Sequence, residues 1–544
     1  MTEVELAMGG TSAGGGRPWW KDAVLYQIYP RSFQDSDGDG VGDLAGIADR
    51  VDYLEWLGVD AVWLSPVFES PHADFGYDIS DYRRVDPLFG GQADLDRLRD
   101  ALHERGMKLI LDLVPNHSSD RHPWFRASRS SRDDPKRDWY IWSDPGPDGG
   151  PPNNWLSVFG GSAWEWDEAT GQYYYHAFLK EQPDLNWRNP DVREAMLDVM
   201  RHWLDWGADG FRVDVMWHLI KDDQLRDNPR NPHYDAETAE LSYDRLIPAY
   251  STDQPEVHDV VAEMRAVIDE FEERLLIGEI YLPIKQLVKY YGESGGGAHL
   301  PFNFQLILLR WERDVVEAAI DEYEAALPDY GWPNWVLSNH DKPRVAGRLG
   351  DAAARAAALL LLTLRGTPTI YYGDEIGIGD VRIPPDRVQD PQAIRDPGSP
   401  TRDAYRTPMQ WSGATHAGFS SATPWLPLSD EWRERNVAAQ RDEPGSMLTL
   451  HRNLLRLRRQ REALRRGSYA PVPADSPVLA YLREHDGERL LVAINFGEDE
   501  AAFRPDRRLR GQVLLSTAGR DGEFGAGDRL AGNEAVIVRL DETG

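Results

Sequence analysis

The chain has no cysteine, which excludes a disulfide framework, a thiolate zinc site and a cysteine nucleophile. Long apolar runs are missing too. The most hydrophobic stretch, 352–364, is interrupted by Arg355 and stopped by Arg365 and Gly366, well short of the ~20 residues that cross a bilayer. The leader 1–16 has neither a basic start nor an apolar segment, so no secretory signal is expected and the expected location is cytoplasmic. Basic residues are in deficit: Lys+Arg number 60 against 91 Asp+Glu, a net charge of −31. A field of that sign repels phosphate backbones and anionic lipid, so neither nucleic acid nor a membrane is an expected partner.

What is present is ordinary globular material, 544 residues with 41% hydrophobic and 10% aromatic side chains. That length suits roughly three or four domains, or one large barrel with attachments. From Lys21 onward short β-rich runs alternate with helical patterns. The runs are 24–30 (VLYQIYP), 61–66 (AVWLSP), 108–115 (KLILDLVP), 210–215 (GFRVDV), 275–280 (LLIGEI), 301–304 (PFNF, the weakest), 335–339 (WVLSN) and 369–373 (TIYYG). Between most of them apolar residues recur at three- and four-residue spacing, as in 93–105, 192–206 and 351–364. The joints LEWLGVDAVWLS, LHERGMKLILDL and LDWGADGFRVD each read as helix, terminating glycine and buried strand.

The pattern predicts an α/β fold, a (β/α)8 TIM barrel over 19–117 and 186–468. A loop-rich inserted domain is expected at 118–185, after strand three, and an antiparallel, β-sandwich-like C-terminal domain at 469–544. The Gly/Ser/Thr-rich start, 1–18, is expected to be disordered. A second long excursion, 376–434, follows strand eight; such loops in a compact domain usually carry function.

Catalytic groups of a barrel sit where its strands end at the C-terminal face. Strand three ends in Asp112, Asn116 and His117, strand four carries Arg212 and Asp214, strand five ends at Glu279, and strand seven at His340 and Asp341. In GFRVDV the period of two puts Phe211, Val213 and Val215 on one face and Arg212 with Asp214 on the other. Ions inside a barrel are costly unless paired or used. Three carboxylates on three strands beside two histidines and an arginine therefore point to a site.

These residues also carry a resemblance. DLVPNH (112–117), GFRVDVMWH (210–218), GEI (278–280) and LSNHD (337–341) resemble the four signature segments of the α-amylase family, glycoside hydrolase family thirteen, and QPDLNW (182–187) and GVDAVWLSP (58–66) match two more. QIYPRSF, GYDISDY, GGSAW and RTPMQW resemble the α-glucosidases and oligo-1,6-glucosidases of that family. The resemblance implies Asp214 as nucleophile, Glu279 as acid/base and Asp341 as transition-state stabiliser, with Tyr77, Asp78, His117, Arg212, His340 and Arg344 as ligands of the sugar. Asp112 and Asn116 are read as orienting residues, and Phe159 and Phe178 as pocket walls. Arg212, on the face of Asp214, should keep that carboxyl ionised, and the apolar strand before Glu279 should raise its pKa.

The implied activity is that of a retaining, exo-acting α-glucosidase, which releases terminal non-reducing glucose from short oligosaccharides or disaccharides. With Val215 beside the nucleophile, the resemblance implies α-1,6 or broad linkage specificity. The alternative is a transglucosylase or sugar isomerase, resembling trehalose synthase or sucrose isomerase, on the same covalent intermediate. Trp217 and His218 depart from the usual glucosidase pattern. The DSDGDGVGD stretch offers closely spaced oxygen ligands for a hard cation. The resemblance implies one structural Ca2+ (or Mg2+) held by Asp35, Asp37, Asp39, Asp43 and the Val41 carbonyl. No organic cofactor is expected, and the chain is expected to be a monomer or weak homo-oligomer.

Overall fold

The computed structural model describes residues 17–541. The expected disorder at 1–18 lies, for residues 1–16, outside the described residues. Eight parallel strands follow in chain order: β1 (Leu25–Ile28), β2 (Ala61–Leu64), β3 (Lys108–Leu113), β4 (Gly210–Val213), β5 (Leu275–Gly278), β6 (Leu300–Pro301), β7 (Asn334–Val336) and β8 (Thr367–Tyr371). They pair in the order β6-β5-β4-β3-β2-β1-β8-β7. The weak run 301–304 contributes only the two-residue β6. Between β6 and β7 the Asn334 side chain takes the place of a ladder. Its Oδ1 accepts the Asn303 N–H at 2.8 Å and its Nδ2 donates to the Pro301 carbonyl at 2.5 Å.

The period of two sorts the strand residues. Leu25, Ala61, Trp63, Ile110, Leu275, Ile277 and Val336 pack together in the barrel interior. Tyr26, Ile28, Val62, Leu64, Leu109, Leu111, Phe211 and Val213 face the surrounding helices. Arg212 and Asp112 follow the interior parity, which is how a hydrophobic barrel comes to hold charge.

The helix–strand joints form as their sequence predicts. Asn189 caps the helix Pro190–Trp206, accepting the Asp191 N–H, and Gly207 ends it at φ +116°. Gly210 then opens β4 at φ +155°, where a Cβ would lie 2.1 Å from the Leu275 carbonyl oxygen. Only glycine lets β4 and β5 approach this closely there.

The insertion has more regular structure than its sequence suggests: a helix (Pro123–Ser130) and a small antiparallel sheet of Trp142–Ser143, Gln172–Tyr175 and Trp164–Asp167. Strands of two to four residues are too short for alternation to show.

The C-terminal domain is a six-stranded antiparallel sheet of β9 (Ser468–Pro471), β10 (Val478–His485), β11 (Glu488–Asn495), β12 (Arg510–Ser516), β13 (Glu523–Gly525) and β14 (Ala535–Leu540), in the order β9-β10-β11-β14-β12-β13. One side chain in two (Leu479, Tyr481, Val492, Ile494, Ala535, Ile537) packs on the barrel. The others (Val478, Ala480, Leu482, Leu491, Ala493, Val536) form a separate core with Phe503 and Phe524. The second layer of a sandwich is reduced to a two-stranded ladder, Ala501–Ala502 with Arg529–Leu530, because the barrel covers the opposite face. No helix among the described residues is long and apolar enough to cross a membrane.

Replacing Asn334 by leucine leaves the Pro301 carbonyl and the Asn303 N–H buried without their partner, at ~1–3 kcal/mol each. We expect the denaturation midpoint of Asn334→Leu to fall accordingly; an unchanged midpoint would show that the side-chain bridge does not close the barrel.

Candidate active site

The C-terminal ends of β3, β4, β5 and β7 meet around one fully buried guanidinium. Arg212 Nη1 donates to Asp112 Oδ1 and Oδ2 at 2.9 and 3.1 Å and to Asp214 Oδ1 at 2.8 Å. Its Nη2 stands 2.8 Å from Glu279 Oε2. The Trp63 ring lies 4.9 Å from the guanidinium, and its Nε1 donates to Asp112 Oδ2 at 3.1 Å. Three buried acids thus share one cation. Burial raises Asp112 to about 7, opposed by Arg212 and reinforced by Glu279. It raises Glu279 in the same way, with Asp341 adding to the effect and Arg212 opposing it, as the sequence leads one to expect. At Asp214 burial and the like charges of Glu279 and Asp112 push upward, and the Arg212 guanidinium, 2.8 Å away, pulls toward the carboxylate.

Asp341 has the opposite environment. Burial would raise its pKa, but the Arg406, Arg402 and Arg212 guanidiniums outweigh burial and hold it below its ordinary value. Arg406 Nη2 and Arg402 Nη1 stand 2.7 and 3.4 Å from Asp341 Oδ1. Arg402 also pairs with Asp74 at 2.9 Å and Asp390 at 2.7 Å. Asp74, Arg402 and Arg406 are absent from the site as read from the sequence; RTPMQW, which begins at Arg406, was the available pointer to the excursion that brings both arginines in.

The other expected ligands divide. Tyr77 stacks on His340 with centroids 5.5 Å apart and planes 6° from parallel, its hydroxyl 2.7 Å from His340 Nε2. His117 is buried against Phe178 (5.3 Å), and Phe178 meets Phe159 edge-on at 5.5 Å. Arg402 lies 4.7 Å over the Phe159 ring, so the two phenylalanines link His117 to Arg402. Asp78 does not face it freely: Oδ1 accepts from Ser70 Oγ and the Asp74 N–H, and Oδ2 from the Ala73 N–H, each at 2.9 Å. It pins the 70–78 loop, and burial raises it to about 6. Arg344 turns away altogether. It precedes the helix Val345–Thr363, donates from Nη1 to the Tyr372 carbonyl at 2.7 Å and packs on Tyr371 and Tyr372 behind β8. The arginines beside Asp341 are Arg402 and Arg406.

Asn116, read as an orienting residue, accepts from buried Lys221 at 2.7 Å and donates to Asp184 at 2.8 Å, tying the insertion to the barrel beside His117. Val215 holds a left-handed backbone, φ 37° and ψ 47°, a genuine outlier for a β-branched residue. That conformation aims its N–H at Glu279 Oε2, 2.8 Å away. Near Glu279, Tyr281 stacks on Phe304 at 4.2 Å, lies 5.8 Å from Trp217, and accepts from Asn339 Nδ2 at 2.9 Å. Tyr281, Phe304 and Asn339 carried no sequence signal of their own.

Away from this centre, Asp35, Asp37 and Asp39 each place a carboxylate oxygen within 4.8 Å of the others. Asp35 also accepts from the N–H groups of Asp37, Gly38 and Gly40, and Val41 donates to Asp39 Oδ1 at 2.7 Å. Asp43 has other partners: it accepts from Ser36 and caps the helix Leu44–Asp49 through the Gly46 N–H at 2.7 Å.

The "Alpha amylase, catalytic domain" family model matches residues 27–467. A probable alpha-glucosidase of Rhizobium meliloti (strain 1021) is 43% identical over 511 residues, covering 91% of this chain and 92% of that one. An oligo-1,6-glucosidase of Heyndrickxia coagulans is 41% identical over 536 residues, covering 90% and 94%. Among solved structures, the alpha-glucosyl transfer enzyme XgtA superposes with a TM-score of 0.90 at 41% identity, covering 97% of this chain and 100% of its own. The trehalulose synthase MutB of Pseudomonas mesoacidophila MX-45 superposes with a TM-score of 0.88 at 36% identity, with the same coverage. With its barrel, its segments and its cluster of buried acids all accounted for, the chain belongs to the alpha-amylase family of glycoside hydrolases.

Proposed function

We propose that this chain is a retaining, exo-acting α-glucosidase that removes terminal non-reducing glucose from short oligosaccharides. The observation that carries the reading is the placing of Asp214 and Glu279 on the two ends of the Arg212 guanidinium, each at 2.8 Å. This suits the ~5–5.5 Å spacing of a double-displacement pair better than the ~6.5–9.5 Å that admits a water between the carboxyls. Asp214 attacks the anomeric carbon while Glu279 gives its proton to the departing glycosidic oxygen. Glu279, now a carboxylate, takes a proton from water, which displaces Asp214 and restores the α configuration. Oε2 of Glu279 is engaged by the Val215 N–H and Arg212, leaving Oε1 to carry the proton. Asp341, kept ionised by its arginines, opposes the positive charge that grows on the sugar ring.

The names of the relatives support hydrolysis of α-glucosides, including α-1,6 bonds. The stacked Tyr281 and Phe304, with Trp217 nearby, favour holding a sugar next to Glu279. They support a second reading, glucosyl transfer to a saccharide. With maltose and isomaltose as parallel substrates, we expect α-glucose as the first-formed anomer and cleavage of isomaltose at least as fast as maltose. β-Glucose released first would overturn the retaining mechanism, and longer saccharides at high maltose would favour the transfer reading.

We also propose that the acidic loop holds one structural Ca2+ or Mg2+. Asp35, Asp37 and Asp39 fit a hard cation by oxygen chemistry and spacing. Asp37 is raised by burial and by the like charges of Asp39, Asp35 and Asp43, repulsion that a cation would relieve. Bound there, the ion would supply fold stability and no catalytic step. Chelation should lower Tm by several degrees while leaving activity at low temperature intact; an unshifted Tm would remove the ion from the account.

A further inference from the structure

Gln27 is fully buried near the end of β1, two residues beyond Leu25, on the parity that faces the barrel interior. Its Nε2 lies 2.8 Å from His340 Nδ1 and donates to Ser65 Oγ at 3.3 Å, while its Oε1 has no partner among the described residues. The other nitrogen of the imidazole faces the chemistry: His340 Nε2 is 3.2 Å from Asp341 Oδ2 and 2.7 Å from the Tyr77 hydroxyl.

With the Gln27 amide nitrogen turned to Nδ1, as it stands here, these contacts point to one proton arrangement. Nδ1 faces the amide nitrogen of Gln27, a donor, and Nε2 lies 3.2 Å from the Asp341 carboxylate, so the ring hydrogen belongs on Nε2. The ring itself is neutral. Burial pushes His340 down to about 3, and Arg406, Arg212 and Arg402 together with burial outweigh the pull of Asp341. The rings of Tyr77, Tyr29 and Trp63, packed around it, add no ionised group. A neutral imidazole has a single N–H, which leaves Nδ1 as an acceptor and requires Gln27 to donate to it. The Tyr77 hydroxyl then accepts from Nε2–H and turns its own proton toward Asp112 Oδ2, 3.4 Å away.

We infer that Gln27 is a positioning residue for glycosidic cleavage: its side-chain amide fixes His340 as the Nε2–H tautomer, so that the imidazole turns its one N–H toward the Tyr77 hydroxyl and Asp341 at the site. The inference rests on the glucosidase reading for its consequence and on geometry alone for the tautomer. Leucine at position 27 removes the donor, and the ring is then free to place its proton on Nδ1. Glutamate offers Nδ1 only an acceptor and draws a second proton onto the ring. The resulting imidazolium lies beside an oxocarbenium-like transition state, where added positive charge is unfavourable.

The test is 15N NMR of histidine-labelled full-length protein, with His340 assigned through His340→Asn, together with steady-state kinetics. We expect wild-type Nε2 protonated and Nδ1 not. Gln27→Leu should mix the tautomers and lower kcat/KM by about 10- to 100-fold, the usual cost of losing the partner that orients a working histidine, with Tm little changed. Gln27→Glu should show both nitrogens protonated and a loss in kcat rather than a rise in KM. A wild-type Nδ1–H tautomer, or a Gln27→Leu protein with unchanged tautomer and kcat/KM, would overturn the inference. If Gln27→Leu fails to fold, the wild-type spectrum alone decides. A wild type inert on every α-glucoside would instead sink the functional reading and leave the tautomer result standing.

Discussion

One buried cation organises this molecule. Arg212, at 0% exposure, is the shared partner of Asp112, Asp214 and Glu279, and the barrel interior tolerates those acids because it is there. Removing one member of a buried ion cluster typically costs ~3–5 kcal/mol, since the rest are left uncompensated. One positive charge cannot neutralise three negative ones in such a setting, so protons are retained on the cluster at pH values where ordinary carboxyls have lost theirs. That shortage of positive charge keeps a proton donor available inside an acidic protein.

Asp341 lies outside this economy of scarcity. Arg402 and Arg406 reach it from the excursion after β8, and their surplus of positive charge drives its pKa down where burial alone would drive it up. The site therefore divides its acids by environment, Glu279 kept protonated on one side and Asp341 a fixed anion on the other, the arrangement that lets neighbouring carboxyls play different parts. The insertion closes the opposite wall through the buried Lys221–Asp184 pair, which anchors Asn116 and seats His117 beside Phe178. Local strain serves the same end at Val215, whose left-handed backbone supplies the amide that restrains Glu279.

Much of this was legible in the sequence because parallel barrel strands are buried on both faces and read as continuous apolar runs. The charged residues interrupting those runs, Asp112, Arg212, Asp214, Glu279 and Asp341, stood out for that reason. Legibility ended where contacts depend on long, irregular chain. Arg402 and Arg406 lie about sixty residues after Asp341 in sequence, and no periodicity announces which loop arginine will fold back. Arg344 was misplaced because a helix begins beside it and carries its side chain behind β8. Asp78 was taken for a ligand because it adjoins Tyr77, yet its oxygens close their own loop while Asp74, four residues earlier, meets Arg402. Arg212 neighbours Asp214 as the two-residue spacing implies, but that neighbour is shared with Asp112 and Glu279.

The most direct test of this account is to trap the reaction halfway with a slow-turnover fluorinated glucosyl fluoride and map the adduct by peptide mass spectrometry. The account predicts one glucosyl unit on the peptide that contains Asp214, attached through its carboxylate, and none on Glu279 or Asp341. A label on either of those residues, or turnover of the reagent with no covalent adduct at all, would contradict it.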